Sequence, residues 1–173
     1  MTPLTQAGML VINTLAGLYL LVVVLRFLLQ LVRADFYNPV SQFVVKATNP
    51  LLIPLRKVIP GLGGIDLASL VLALFVQAVA IVLILLLNGI QPPLQVAIWA
   101  IIGVLSLFLK IYFWGLLITV IASWIAPGSY NPALILISQI LEPEMKPIRK
   151  IMPDMGGLEL SPIVMFLTIQ VLE

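Results

Sequence analysis

Four long apolar runs constrain where this chain can fold. Gly8–Val32 carries a single charged side chain, Arg26, and Leu94–Ala126 carries only Lys110. Ile65–Leu87 holds only Asp66, at its start, and a last run begins near Leu158 and continues to the end. About 20 helical residues at about 1.5 Å each cross the hydrocarbon core of a bilayer. The first two complete spans fit that length. The 33 residues of Leu94–Ala126 exceed it, which calls for a strong tilt, a kink, or an interfacial lead-in over Leu94–Ser106. The 15 residues of Leu158–Leu172 fall short, so this helix either stops inside the bundle or continues beyond the sequence. A soluble domain is about a quarter charged; here the figure is 9%, too little to cover a chain that is 62% hydrophobic. The N-terminus lacks the basic lead of a secretory signal and reads as a retained membrane anchor.

The second constraint is a self-match. Shifting the sequence by 93 residues carries Tyr37-Asn38-Pro39 onto Tyr130-Asn131-Pro132 without a gap. Pro50, Pro54, Arg56, Lys57 and Pro60 then fall on Pro143, Pro147, Arg149, Lys150 and Pro153. Gly63-Gly64 falls on Gly156-Gly157, Asp66 on Glu159 and Gln77 on Gln170. Four prolines and a glycine pair in one frame indicate an internal duplication, with units at 1–90 and 91–173. Two membrane segments separate the repeated loops, so both loops face the same side and the units run parallel. That side holds Arg33, Lys46, Arg56, Lys57, Lys146, Arg149 and Lys150, whereas Met1–Gly8 and Asn88–Leu94 contain no Lys or Arg. The excess of cations predicts cytoplasmic loops and an N-terminus outside.

The expected architecture is an all-α membrane protein of two parallel tandem repeats. Each has two transmembrane helices joined by a kinked cytoplasmic amphipathic helical element. Within the first loop, Val40, Phe43, Val44, Ala47, Leu51, Leu55 and Val58 recur at helical spacing and predict one apolar face. Asn49-Pro50 reads as a helix cap followed by proline in the first turn, which cuts the element into two short helices. Gly61, Gly63 and Gly64 permit the turn back into the membrane. Asp66 and Ser161 are the expected caps of the helices that follow.

Absent residues narrow the chemistry. The chain has no cysteine and no histidine, which removes disulfides, thiolate chemistry and the commonest metal ligand and general base. No catalytic triad, phosphate loop or dinucleotide motif is present, so neither an enzyme nor a cofactor or metal site is expected. No long basic tract points to nucleic acid.

The stretches "RADFYNPVSQFVVKATNPLLIPLRKVIPGLGGIDLASL" and "PGSYNPALILISQILEPEMKPIRKIMPDMGGLELSP" resemble the YggT (YlmG) family of small integral membrane proteins. The shared elements are Tyr-Asn-Pro, an Asp/Asn-Pro, a Pro-x-Arg-basic motif and a Gly-Gly-x-acid turn. Ser69 stands where the family has proline, and Glu142 and Glu159 stand where it has aspartate. The resemblance implies a multi-pass protein of the bacterial plasma (inner) membrane. It also implies roles linked to osmotic or ion stress, cell division or cytochrome maturation, without a reaction.

Two function classes follow. In the first, the chain is a scaffold or assembly factor. Lys46, Arg56, Lys57, Lys146, Arg149 and Lys150 then fix topology, dock on anionic lipid headgroups, or meet a protein partner. In the second, it is a subunit of an ion or osmolyte channel, assembled as a homo-oligomer and lined by polar groups within the membrane. Arg26 either snorkels to the cytosol, with Gln30 one turn away, or serves a buried interface. Lys110 marks the outer interface if its span starts near Leu107, and lies deep if the span is Ile101–Ala126. Gln77 and Gln170, at equivalent depths, either bond across helices or line a pathway.

Overall fold

A computed structural model describes residues 3–125, 128, 130–151 and 161–172 of the chain. Pro153, Gly156, Gly157, Leu158 and Glu159, on which part of the expected second loop rests, lie outside the described residues. The described residues form six helices: α1 (Pro3–Leu31), α2 (Pro39–Val58), α3 (Leu67–Leu87), α4 (Val96–Ile125), α5 (Pro132–Ile151) and α6 (Ser161–Leu172). Three of them, α1, α3 and α4, are long and apolar enough to cross a membrane. The 12 residues of α6 reach only about 18 Å.

Contacts at both ends of α1 and α3 set these helices antiparallel. At one end a Cβ on Gly8 would stand 3.3 Å from Leu87. At the other, Gln30 lies beside the Arg56–Asp66 pair. Next comes α4, packed on α3 through Gly103 and reaching α1 where the Phe27 and Phe108 rings meet edge to face at 5.6 Å. Val23, Val24 and Leu28 of α1, Val44 and Leu52 of α2, and Leu72 and Ala73 of α3 make the main core, which Val104 of α4 and Leu136 and Ile140 of α5 join. A second core gathers Leu116, Leu141, Met145, Met165 and Ile169 from α4, α5 and α6. Around both, leucine, isoleucine and aromatic side chains point outward along α1, α3 and α4. Such a surface suits lipid, because every backbone group of these helices is satisfied internally.

The loop element differs from its sequence expectation. It is one helix of 20 residues that runs through Pro50 and Pro54, not two pieces cut at Asn49. Its cap is Asn38, whose Oδ1 accepts a hydrogen bond from the Val40 N–H at 2.9 Å, and Pro39 takes the first-turn position where a missing N–H costs nothing. Asn131 caps α5 in the same way, through the Ala133 N–H at 2.9 Å. Proline inside a helix frees the carbonyl four residues earlier. Both prolines of α2 lie on its exposed side, where outside groups can satisfy those carbonyls, while Ser41, Val44, Thr48 and Leu52 stay buried along one continuous line. The packed line holds the helix together past both breakers.

That buried line is not the apolar face expected from spacing. Of the predicted face only Val44 is buried; Val40, Phe43, Leu51 and Val58 are exposed. α2 therefore has two apolar flanks, one against α1 and α3 and one facing out.

Glycines close the loop as expected. Leu62 and Ile65 exchange backbone hydrogen bonds around Gly63 and Gly64, whose φ values are +60° and +90°. Two consecutive positive φ angles define a type I′ turn, which strongly favours glycine. Of the expected caps, Asp66 precedes α3 without a side-chain bond to the helix N–H groups, and the buried Ser161 hydroxyl has no partner.

Candidate functional site

Polar groups converge where the ends of α1 and α2 meet the start of α3. Arg56, in the last turn of α2, donates one nitrogen to Asp66 Oδ2 and to Gln30 Oε1 of α1, the latter at 2.8 Å. Ser69, in the first turn of α3, donates its hydroxyl to the same Asp66 oxygen. Asp66 is 3% exposed and Arg56 35%. Burial pushes the Asp66 carboxyl up, but the hydrogen bonds from Arg56 and Ser69, with the Arg56 charge, outweigh it and hold the group below the usual carboxylate range.

Arg26 lies beside this trio, near enough for the charges of Arg56 and Asp66 to act on it. It is buried, with its guanidinium 5.5 Å from the centre of the Phe36 ring, a cation–π distance. Its Nε and Nη1 have no hydrogen-bond partner. Arg26 thus does not snorkel to solvent. Asp66 pairs with Arg56 alone, so among the described residues the junction holds two guanidinium groups and one carboxylate, a net positive charge.

The remaining expected residues lie elsewhere. Lys46 and Lys57 of α2 and Lys146, Arg149 and Lys150 of α5 are exposed. Glu142 sits between two of these cations, 3.9 Å from Lys146 and 3.5 Å from Arg149. Gln77 packs against Gly103, where an added Cβ would stand 2.5 Å from its amide nitrogen. Gln170 is exposed on α6, so the two amides do not meet. Because Gln77 lies midway along α3, Gly103 marks the same depth on α4. Lys110 is seven residues further on, about 10 Å toward the Asp66 end. Its side chain is exposed there.

Sequence reasoning missed the Arg56–Asp66 pair. It assigned Arg56 to topology, lipid headgroups or a partner, and Asp66 to a cap. The available signal was their placement on either side of a Pro-Gly turn tight enough to fold one onto the other. It also missed the link between the two loop helices, where Asn38 Nδ2 donates to the Pro132 carbonyl at 2.8 Å and the Asp35 N–H donates to Gln139 Oε1 at 3.3 Å.

Comparison with known proteins gives the context. The CCB3/YggT family pattern matches residues 5–87 and again residues 98–173. An uncharacterized protein of Pseudomonas aeruginosa is 57% identical over all of this chain and 89% of its own length. An uncharacterized protein from the proC 3' region of Vibrio alginolyticus is 43% identical over 92% of this chain and 87% of its own. The uncharacterized protein YggT of Escherichia coli K12 is 37% identical over 94% of this chain and 85% of its own. No solved structure matches.

Proposed function

The chain belongs to the CCB3/YggT family, and on that premise we propose that it is a non-enzymatic scaffold of the bacterial plasma membrane. Its two parallel units each press an amphipathic helix, α2 or α5, against the cytoplasmic leaflet and a partner complex. The observation that carries this reading is the outward flank of α2. Phe43, Lys46, Pro50, Ile53 and Lys57 follow one another at helical spacing and all are exposed. Apolar side chains among cations suit the headgroup boundary of an anionic leaflet, where each cation contributes about 1 kcal/mol of attraction. The internal Arg56–Asp66 pair holds the helix at its other end, so its outward flank is presented from a fixed base.

The chain has no native cysteine, so single introduced cysteines report cleanly. Lys57→Cys and Lys150→Cys are expected to label from the cytoplasmic side alone. A spin label at Phe43→Cys is expected at headgroup depth. A photo-crosslinker at Lys57 is expected to capture the same partner that co-purifies with the chain. Reversing Lys46, Lys57, Lys146 and Lys150 to glutamate is expected to release it. Labelling from outside, or co-purification that survives the reversal, refutes the proposal. Ion or osmolyte flux through liposomes of the purified chain would instead favour the channel reading. Arg26, Gln77, Lys110 and Gln170 are not brought together within one chain.

A further inference from the structure

The α4/α5/α6 junction borders an open pocket of about 650 Å³, within the roughly 300–1,000 Å³ of small-molecule sites. Glu142 and Arg149 of α5 and Ser123 of α4 give its walls polar groups, while Leu116, Met145 and Phe166 give apolar ones. Trp124, 81% exposed, stands at its rim.

The 93-residue offset explains the space. It carries Arg26, Gln30, Arg56 and Ser69 of the first junction onto Thr119, Ser123, Arg149 and Pro162, and all four of these line the cavity. In the first junction the long Arg26 side chain lies buried among the helices. In the second, a threonine stands at that position.

The polar groups define what fits. Thr119 donates its hydroxyl proton to the Leu116 carbonyl at 2.8 Å, and Ser123 donates its own to the Val120 carbonyl at 2.7 Å. Both therefore turn only lone pairs toward the cavity. Glu142 adds a carboxylate, and Arg149 beside it adds a guanidinium. An anion would have to compete with Glu142 for Arg149, and the two hydroxyls would offer it nothing. A head group bearing both a primary ammonium and a phosphate meets every partner: the ammonium donates to Glu142 and the hydroxyls, and the phosphate accepts from Arg149.

We propose that this cavity binds one phospholipid with an aminoethyl phosphate head, its acyl chain lying on Leu116, Met145 and Phe166. The site is distinct from the outward flank of α2. It rests on the two-unit reading only for the correspondence between Thr119 and Arg26.

The test is native mass spectrometry of the full chain in detergent, titrated with equal amounts of phosphatidylethanolamine, phosphatidylcholine and phosphatidylglycerol. One phosphatidylethanolamine per chain is expected to bind about tenfold more tightly than either competitor, the factor of one charge-assisted contact. Phosphatidylcholine shares the phosphate but has no ammonium proton to donate. Thr119→Arg, which fills the cavity, is expected to abolish the preference. Glu142→Gln, which removes the carboxylate that takes the ammonium, is expected to shift it away from phosphatidylethanolamine. Equal binding of the three lipids to the unmodified chain overturns the proposal. So does a phosphatidylethanolamine preference that Glu142→Gln leaves intact, an outcome readable even if Thr119→Arg does not fold. If Glu142→Gln shifts the preference and a well-folded Thr119→Arg does not change it, the lipid site stands and the correspondence between units falls. Depth labelling at Phe43 is expected to be unaffected by either variant, so failure here is separate from failure of leaflet docking.

Discussion

Replacing Asp66 with asparagine removes the one carboxylate at the α1/α2/α3 junction while keeping its shape. The oxygen that accepts from Ser69 survives, so the loss is electrostatic. Arg56 then loses its counter-charge while the charge of Arg26 still acts nearby. Breaking a fully buried ion pair by removing one partner costs about 3–5 kcal/mol, whereas an exposed pair contributes about 1 kcal/mol or less. Asp66 is 3% exposed and Arg56 35%, so this pair falls between the two limits. About 2–3 kcal/mol is the expected cost of Asp66→Asn. At about 2–4 °C per kcal/mol for a chain of this length, the unfolding midpoint drops by roughly 4–12 °C. Tryptophan fluorescence during heating in a mild detergent measures it. Arg56→Met and the double variant complete a cycle. If the pair is coupled as described, the double variant loses much less than the two single losses combined, because the charge imbalance goes with the pair. Losses that add to within about 0.5 kcal/mol would refute the reasoning.

Further outcomes follow from the same geometry. The Asp66 carboxyl is held below its ordinary range, so its contribution is complete above the unfolded value of about 3.9 and is lost as pH falls through the folded value. The stability gap between the unmodified chain and Asp66→Asn is expected to stay flat from about pH 8 to pH 5 and to narrow below about pH 4. Gly103→Leu is expected to loosen α3 from α4 by about 1–3 kcal/mol, the cost of overpacking, and Gln77→Ala is expected to recover part of it in thermal unfolding of the double variant. Gly64→Val places a branched side chain at φ +90° and is expected to cost about 1–3 kcal/mol by the same assay, although open space surrounds the position.

What was legible in the sequence was what depends on neighbours along the chain. The apolar runs locate α1, α3 and α4, and Gly63-Gly64 marks the turn, because segment length and backbone freedom are local properties. Asn38-Pro39 and Asn49-Pro50 are the same local signal, and only packing decides between them. The first begins a helix, with Asn38 buried against the start of α5. The second lies inside one, between buried Thr48 and buried Leu52. The apolar stripe of α2 was read from its spacing, but the line that packs was not. The packed line contains Ser41 and Thr48, and Thr48 can be buried because its hydroxyl donates to the Val44 carbonyl at 2.8 Å. The meeting of Arg26 with the Arg56–Asp66 pair was illegible for a different reason. Arg26, Arg56 and Asp66 lie on three segments, and no spacing encodes the register of α2 against α1.

Asn38 uses one amide group twice: its oxygen starts α2, and its nitrogen grips the carbonyl at the start of α5. The two loop helices are therefore joined at their first turns by a side chain that also sets where one of them begins. Aspartate at this position would keep the cap and lose the bond to α5, leaving the Asp35–Gln139 bond and the shared core to hold the pair.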